Sequence, residues 1–207
     1  MKSLSWLSVL AFVFLVNVAA LGQEFPAFEL AAGYSFVNVH PNLAPITSFN
    51  VNGGGAAFVY NFTSLIGIKV DFMAYDAGSG FQNDIKKTGY SGSASGNVIT
   101  YLFGPQIKKH SGTFQPFGEA LFGAAHTNAY ATIFKSQGLL NGSGDNNGFA
   151  MEFGGGLDIP VGKTIQIRPV EVDYLGTHFG SNHVKNYSAW QNNFKYVAGV
   201  NFTFGGK

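Results

Sequence analysis

Past residue 22 the chain alternates between two kinds of position. In Phe194–Phe204 the even positions read Phe, Tyr, Ala, Val, Phe, Phe and the odd positions Lys, Val, Gly, Asn, Thr. A period of two places these sets on opposite faces of a strand. The same split recurs at 28–38, where Phe28, Leu30, Tyr34 and Phe36 oppose Glu29, Ala31, Gly33 and Ser35. It recurs at 65–76, where Ile66, Ile68, Val70 and Phe72 oppose Gly67, Lys69 and Asp71, and at 149–159, where Phe149, Phe153 and Leu157 oppose Glu152, Gly156 and Asp158. Weaker alternation covers 50–60, 96–107, 114–125 and 163–175. Eight strands are predicted, bounded by Asn, Gly, Ser and Pro clusters, with no helix.

The two faces differ in size as well as polarity. The apolar sets carry Phe, Tyr and Ile; the others carry Gly, Ala, Ser and Asn with one or two charges per strand. An eight-stranded barrel has room inside only for side chains that just fill it. Small and charged residues fit that lumen, while rows of Phe and Ile suit hydrocarbon. The expected fold is therefore all-β, an eight-stranded antiparallel up-and-down transmembrane β-barrel. The connections agree: 61–64, 108–113 and 160–162 are short, whereas 38–49, 77–95, 126–148 and 176–193 are long. Short turns on the periplasmic side and long loops outside are the expected arrangement, with both termini periplasmic. Strand 163–175 breaks the parity, since Arg168 falls on the face opposite Glu171 and Asp173. Either Arg168 faces outward near the periplasmic rim, where it reaches water, or a bulge at Pro169, the favoured reading, brings all three inside.

Residues 1–22 read differently. One basic residue, Lys2, precedes an apolar run from Leu4 to Leu21 that ends in Ala20-Leu21-Gly22. This is the pattern of a signal peptide cut after Gly22, leaving a single barrel domain over residues 23–207. Composition narrows the function classes. Only 11% of the 207 residues are charged and 15% are aromatic, which excludes disorder. Twelve Lys+Arg against 11 Asp+Glu gives no basic field for nucleic acid. The absence of Cys removes thiolate metal sites, a cysteine nucleophile and a lipidated N-terminal Cys.

With these strands in place, the chain resembles the OmpA-like family of eight-stranded outer-membrane β-barrels over about Phe25 to Phe204. The most specific piece is the last strand, Tyr196-x-Ala198-x-Val200-x-Phe202-x-Phe204, similar to the terminal-strand signal by which such proteins are recognised for insertion. Gly205-Gly206-Lys207 continues beyond the terminal aromatic, and the family's periplasmic peptidoglycan-binding domain is missing. The resemblance implies outer-membrane lipid and the barrel-insertion machinery as partners, and a role in membrane integrity, adhesion or a small porin-like pore.

Candidate chemistry lies in the lumen. Parity places Glu29, Lys69, Asp71, Glu119, Glu152, Asp158, Glu171, Asp173 and Lys195 inside, with Arg168 added by the bulge. Buried charges must be paired, so these form an ion-pair plug; a narrow cation-preferring pore is the alternative. Acids outnumber bases, so at least one carboxyl is expected to be neutralised by a proton or linked through water. A lipid A-modifying enzyme would need His126 beside a nucleophile, and only Thr127 adjoins it. His178 and His183 share the last long connection, with no feature to fix metal geometry. No catalytic, cofactor or metal residues are expected. Gly53-Gly54-Gly55 and Gly154-Gly155-Gly156 lie within strands, with no helix behind them to hold phosphate. The loops 77–95 and 126–148, with Phe81, Tyr90, Tyr130 and Phe134, are the expected place for an extracellular ligand.

Overall fold

The computed structural model describes residues 24–40, 48–76, 97–127, 146–179 and 189–206. Eight strands follow in order: β1 (Phe28–Val39), β2 (Phe49–Asn61), β3 (Ile66–Asp76), β4 (Asn97–Lys108), β5 (Gln115–Thr127), β6 (Asn146–Pro160), β7 (Ile165–Phe179) and β8 (Ala189–Phe204). Each pairs antiparallel with its sequence neighbours, and β8 returns to β1 to close a barrel. The closing seam runs from Phe28 opposite Phe204 to Asn38 opposite Phe194. Closure removes the free edges that an open sheet would expose.

Residues 62–65, 109–114 and 161–164 make the short turns, all at one end of the barrel. There Thr63 Oγ1 accepts hydrogen bonds from the backbone N–H of Leu65 (3.2 Å) and Ile66 (2.9 Å). Gly112 takes φ +84°, a conformation that side-chain-bearing residues rarely adopt. The N-terminal segment and the C-terminal tail meet at this same end, where Gly206 packs against Phe25 and Pro26. This is called the turn end below, and the other the loop end.

Burial follows parity. Lys69 and Lys195 are 1% and 0% exposed inside the barrel, whereas Phe103 and Phe194 are each 61% exposed outside it. Phe72 and Phe153 are outside, and Asp71 and Glu152 inside. The outer aromatics contact one another across strands: Phe72 and Tyr101 meet edge to face at 5.3 Å, Phe122 and Phe153 at 5.5 Å.

β7 contains a bulge, which settles the parity of Arg168 that the sequence left open. Its register shifts against β6 between Leu157 and Ile159, and against β8 between Arg168 and Glu171. The extra residue lies at Pro169–Val170, so Arg168, Glu171 and Asp173 are all buried inside. On the outer face beside the bulge, the Tyr196 hydroxyl donates to the Pro169 carbonyl oxygen at 2.8 Å.

Several boundaries differ from the sequence expectation. β7 runs on to Phe179 and β8 begins at Ala189, because Gly176 pairs with Asn192 and Phe179 with Ala189; the loop-like Gly, Thr and Asn composition is overridden by ladder hydrogen bonds. His178 accordingly lies in β7, not in a loop. Lys108, read as part of a turn, ends β4 and is fully buried. The lumen is also less polar than expected. Its loop-end third holds an apolar cluster of Leu102, Leu121, Ala125, Ala150, Leu175 and Phe179.

Candidate functional site

The interior has three layers from the turn end upward. Lys108 organises the first. It lies on the inward set Thr100, Leu102, Gly104, Gln106 of β4, and its Nζ donates to Glu29 Oε2 (2.5 Å), Asp158 Oδ2 (2.6 Å) and Gln166 Oε1 (2.9 Å). Asn201 Nδ2 donates to Glu29 Oε2 (2.5 Å) and Gln166 Oε1 (3.0 Å), and Gln166 donates on to Gln115. Arg168 grips Asp158 with two nitrogens, Nε at 2.8 Å and Nη2 at 2.9 Å, and reaches Glu171 with Nη1 at 2.7 Å. Such two-point contact is the strong form of the arginine–carboxylate pair. Arg168 also lies 4.3 Å from the ring centre of Phe117.

Arg168 thus links the first layer to the second, which is built on two lysines. Lys69 Nζ contacts Glu119 at 2.7 Å, Glu171 at 3.2 Å and Asp71 at 3.5 Å. Lys195 Nζ contacts Glu152 at 2.7 Å, Asp173 at 3.2 Å and Glu171 at 3.7 Å. Gln106 donates to the second oxygen of Glu119 at 3.1 Å. Among the described residues, Glu29, Asp71, Glu119, Glu152, Asp158, Glu171 and Asp173 are buried inside with Lys69, Lys108, Arg168 and Lys195. Carboxylates exceed these cations, and both oxygens of Asp71 and of Asp173 accept no hydrogen bond.

Oxygens of Glu119, Glu152, Glu171 and Asp173 lie within 4.8 Å of one another, a set that a hard cation would accept. The ammonium groups of Lys69 and Lys195 already touch all four. The positive charge at the centre is therefore the protein's own.

The third layer is apolar. Above Lys195 this layer includes the buried Tyr75. A cavity of about 30 Å³ lies there among Val37, Phe49, Val51, Tyr75, Leu175 and Phe179. It has little more room than a water molecule needs.

No protein-family model matches the chain, and no curated protein matches it in sequence. Among solved structures it is similar to neisserial surface protein A, with a TM-score of 0.54 and 11% identity over 86% of this chain and 97% of that one. That likeness and the closed eight-strand topology decide the fold. This is an eight-stranded outer-membrane-type barrel. Similarity also extends to Ail, the attachment invasion locus protein of Yersinia pestis (TM-score 0.49, 13% identity, 87% of this chain and 99% of that one). It extends as well to the outer membrane protein OprG of Pseudomonas aeruginosa (0.47, 17%, 89% and 98%).

The barrel brings together every lumenal charge expected from parity, and adds groups that parity counting had stopped short of. Lys108 continues the inward set of β4 by one more step of two, so the same signal would have found it. Asn61, Gln115, Gln166 and Asn201 are inward and polar without charge, and nothing in the sequence ranks them above other amides. His110, whose Nε2 lies 2.8 Å from Glu29 Oε1, carries no strand signal at all, since it lies in a turn. Tyr196, Ala198, Val200, Phe202 and Phe204 lie on the outer face of β8, beside the β1 seam.

His126 is on the outer face, and its Nδ1 lies 2.8 Å from Asn147 Oδ1. Thr127 turns into the lumen and is fully buried, so the adjacent hydroxyl faces away from the imidazole. His178 lies with its ring tilted against Trp190 on the outside, centroids 5.1 Å apart. His183, the leader at 1–22, and most of the loops 77–95 and 126–148 with Phe81, Tyr90, Tyr130 and Phe134 lie outside the described residues.

Proposed function

We propose that this chain is an integral outer-membrane protein with a structural or surface-interaction role, neither catalytic nor conducting. It is exported by a leader over residues 1–22, and its turn end and both termini face the periplasm. The observation that carries this reading is the inversion of polarity: Lys69 and Lys195 are buried inside while Phe103 and Phe194 are exposed outside. A water-soluble barrel has the opposite arrangement. The lumen supports the non-conducting part, because two layers of cross-bonded charges are followed by the apolar cluster around Leu121 and Phe179. An ion would have to break the first and give up its hydration shell in the second.

The strand Tyr196–Phe204 presents its aromatics outward beside the seam, as a segment read by the insertion machinery requires. Ligand recognition belongs to the long connections at the loop end. The decisive experiment is membrane fractionation with a gel of heated and unheated samples, followed by planar-bilayer recording. A heat-shifted band in the outer-membrane fraction with no unitary currents is expected. Recovery in the buffer phase would overturn the placement, and resolved channel steps would overturn the plug. His126→Ala should leave lipid A composition unchanged; a changed composition would establish the enzymatic alternative.

A further inference from the structure

On the outer face at the loop end, polar side chains pair with one another across neighbouring strands. Asn38 Nδ2 donates to Asn50 Oδ1 at 2.7 Å between β1 and β2. His126 meets Asn147 between β5 and β6, and the Tyr174 hydroxyl donates to Asn192 Oδ1 at 2.5 Å between β7 and β8. An amide immersed in hydrocarbon is costly. Under the proposed placement these pairs therefore mark the height at which acyl chains give way to headgroups.

The third pair lies beside a row of rings. Phe149, His178 and Trp190 stand opposite one another in the ladder of β6, β7 and β8. The Trp190 ring centre is 5.1 Å from that of His178 and 6.1 Å from that of Phe149, and Trp190 is 43% exposed. Asn192 follows Trp190 by two residues on the same face and is also exposed. With its oxygen accepting from Tyr174, the amide offers two N–H donors. Among the described residues this patch carries no charge. The described lysines and Arg168 lie in the lumen or at the turn end, and the outward acid at the loop end, Asp76, is on β3.

We propose that Trp190 and Asn192 form a seat for the saccharide headgroup of a glycolipid in the surrounding leaflet. The proposal rests on the membrane placement above and names the partner of that surface. An indole has an apolar body and an electron-rich face, which suits the C–H face of a sugar ring, while hydroxyls at the sugar's edge accept from the Asn192 amide. A phosphate headgroup is held most strongly by Arg or Lys, and the described patch has neither. Side chains on the outer face of a strand stand perpendicular to the wall, so they meet a neighbour in the leaflet and not a molecule arriving over the loops. Tyr174 fixes the amide beside the indole, which a plain aromatic belt at a membrane boundary does not require.

Trp6 and Trp190 are the two tryptophans of the chain, so the full chain carrying Trp6→Phe reports this face through its fluorescence. It is refolded into phosphatidylcholine vesicles with rising fractions of digalactosyl diacylglycerol or, in parallel, of phosphatidylglycerol. Both leaflets carry the added lipid, so either direction of insertion presents it to Trp190. The emission maximum should shift saturably with the galactolipid and stay fixed with phosphatidylglycerol. Asn192→Ala should raise the half-saturating fraction about fivefold, as for one lost hydrogen bond, while Asn50→Ala, across the rim, should leave it unchanged. An inserted barrel whose emission ignores the galactolipid would overturn the seat. So would an equal response to phosphatidylglycerol, or an equal loss in Asn50→Ala. The same response to a soluble digalactoside in lipid-free micelles would assign the face to free glycans and overturn the leaflet partner. Failure to enter the vesicles is a distinct result, and would bring down the membrane placement itself.

Discussion

At the scale of single residues, the lumen punishes the loss of one partner more than it rewards the pair. A buried ion pair rarely adds much over a hydrophobic replacement, but removing one member leaves the other charge uncompensated. Lys108 is the clearest case, because Glu29 and Asp158 both rest on its Nζ. Lys108→Met should cost about 3–5 kcal/mol, read by urea unfolding of the barrel in lipid vesicles. A second residue acts on the outside. Tyr196 donates to the Pro169 carbonyl beside the bulge, and under the proposed membrane placement no water is there to replace it. Tyr196→Phe should lower stability by about 1–3 kcal/mol; an unchanged midpoint would mean that the carbonyl finds another donor. Of these two roles, the first was open to parity counting. The second was not, since no sequence rule says which tyrosine will meet the carbonyl beside a bulge.

At the scale of elements, the strands are shaped by where side chains are missing. A Cβ on Gly199 would lie 2.7 Å from Gly33 Cα, so the β1–β8 seam depends on its absence. A Cβ on Gly118 would meet only the Gly154 oxygen, at 3.6 Å. Gly199→Ala should therefore destabilise by about 1–3 kcal/mol, while Gly118→Ala should be neutral or gain up to about 1 kcal/mol. Thermal unfolding of the two variants separates them, and equal losses would contradict the packing at the seam. Strand positions were largely legible, because alternation between lipid and lumen is imposed on every residue of a wall one strand thick. Strand ends were not. Gly176, Thr177 and Asn192 read as loop, yet they pair, since a ladder extends wherever the neighbouring strand supplies partners.

At the scale of the whole molecule, the proposed placement makes the bilayer the solvent for the outer surface. Val70 lies midway along β3 with its side chain outward. Val70→Arg should destabilise the barrel by about 2–4 kcal/mol in a bilayer. The same change on a water-facing surface would be nearly neutral, so the magnitude itself reports the surroundings, read by urea titration in vesicles. The lumen, by contrast, behaves as a protein core in two parts. Its charged layers fix a unique arrangement through directional bonds, and its apolar third excludes water by packing.

The order of the residues alone determined the number of strands and which face of each carries Phe and Ile; that a bulge beside Pro169 turns Arg168 inward was settled by the register of β7. A period of two admits one solution per strand once the faces differ so strongly. Only the closed sheet decided which charges meet. Lys69 reaches Glu119 and Glu171, and Lys108 reaches Glu29 and Asp158, across strands far apart in the chain. Parity states that a side chain points inward, but shear around the ring sets its height, and height chooses its partner. The apolar layer at the loop end is likewise a product of that stagger, which no single strand encodes.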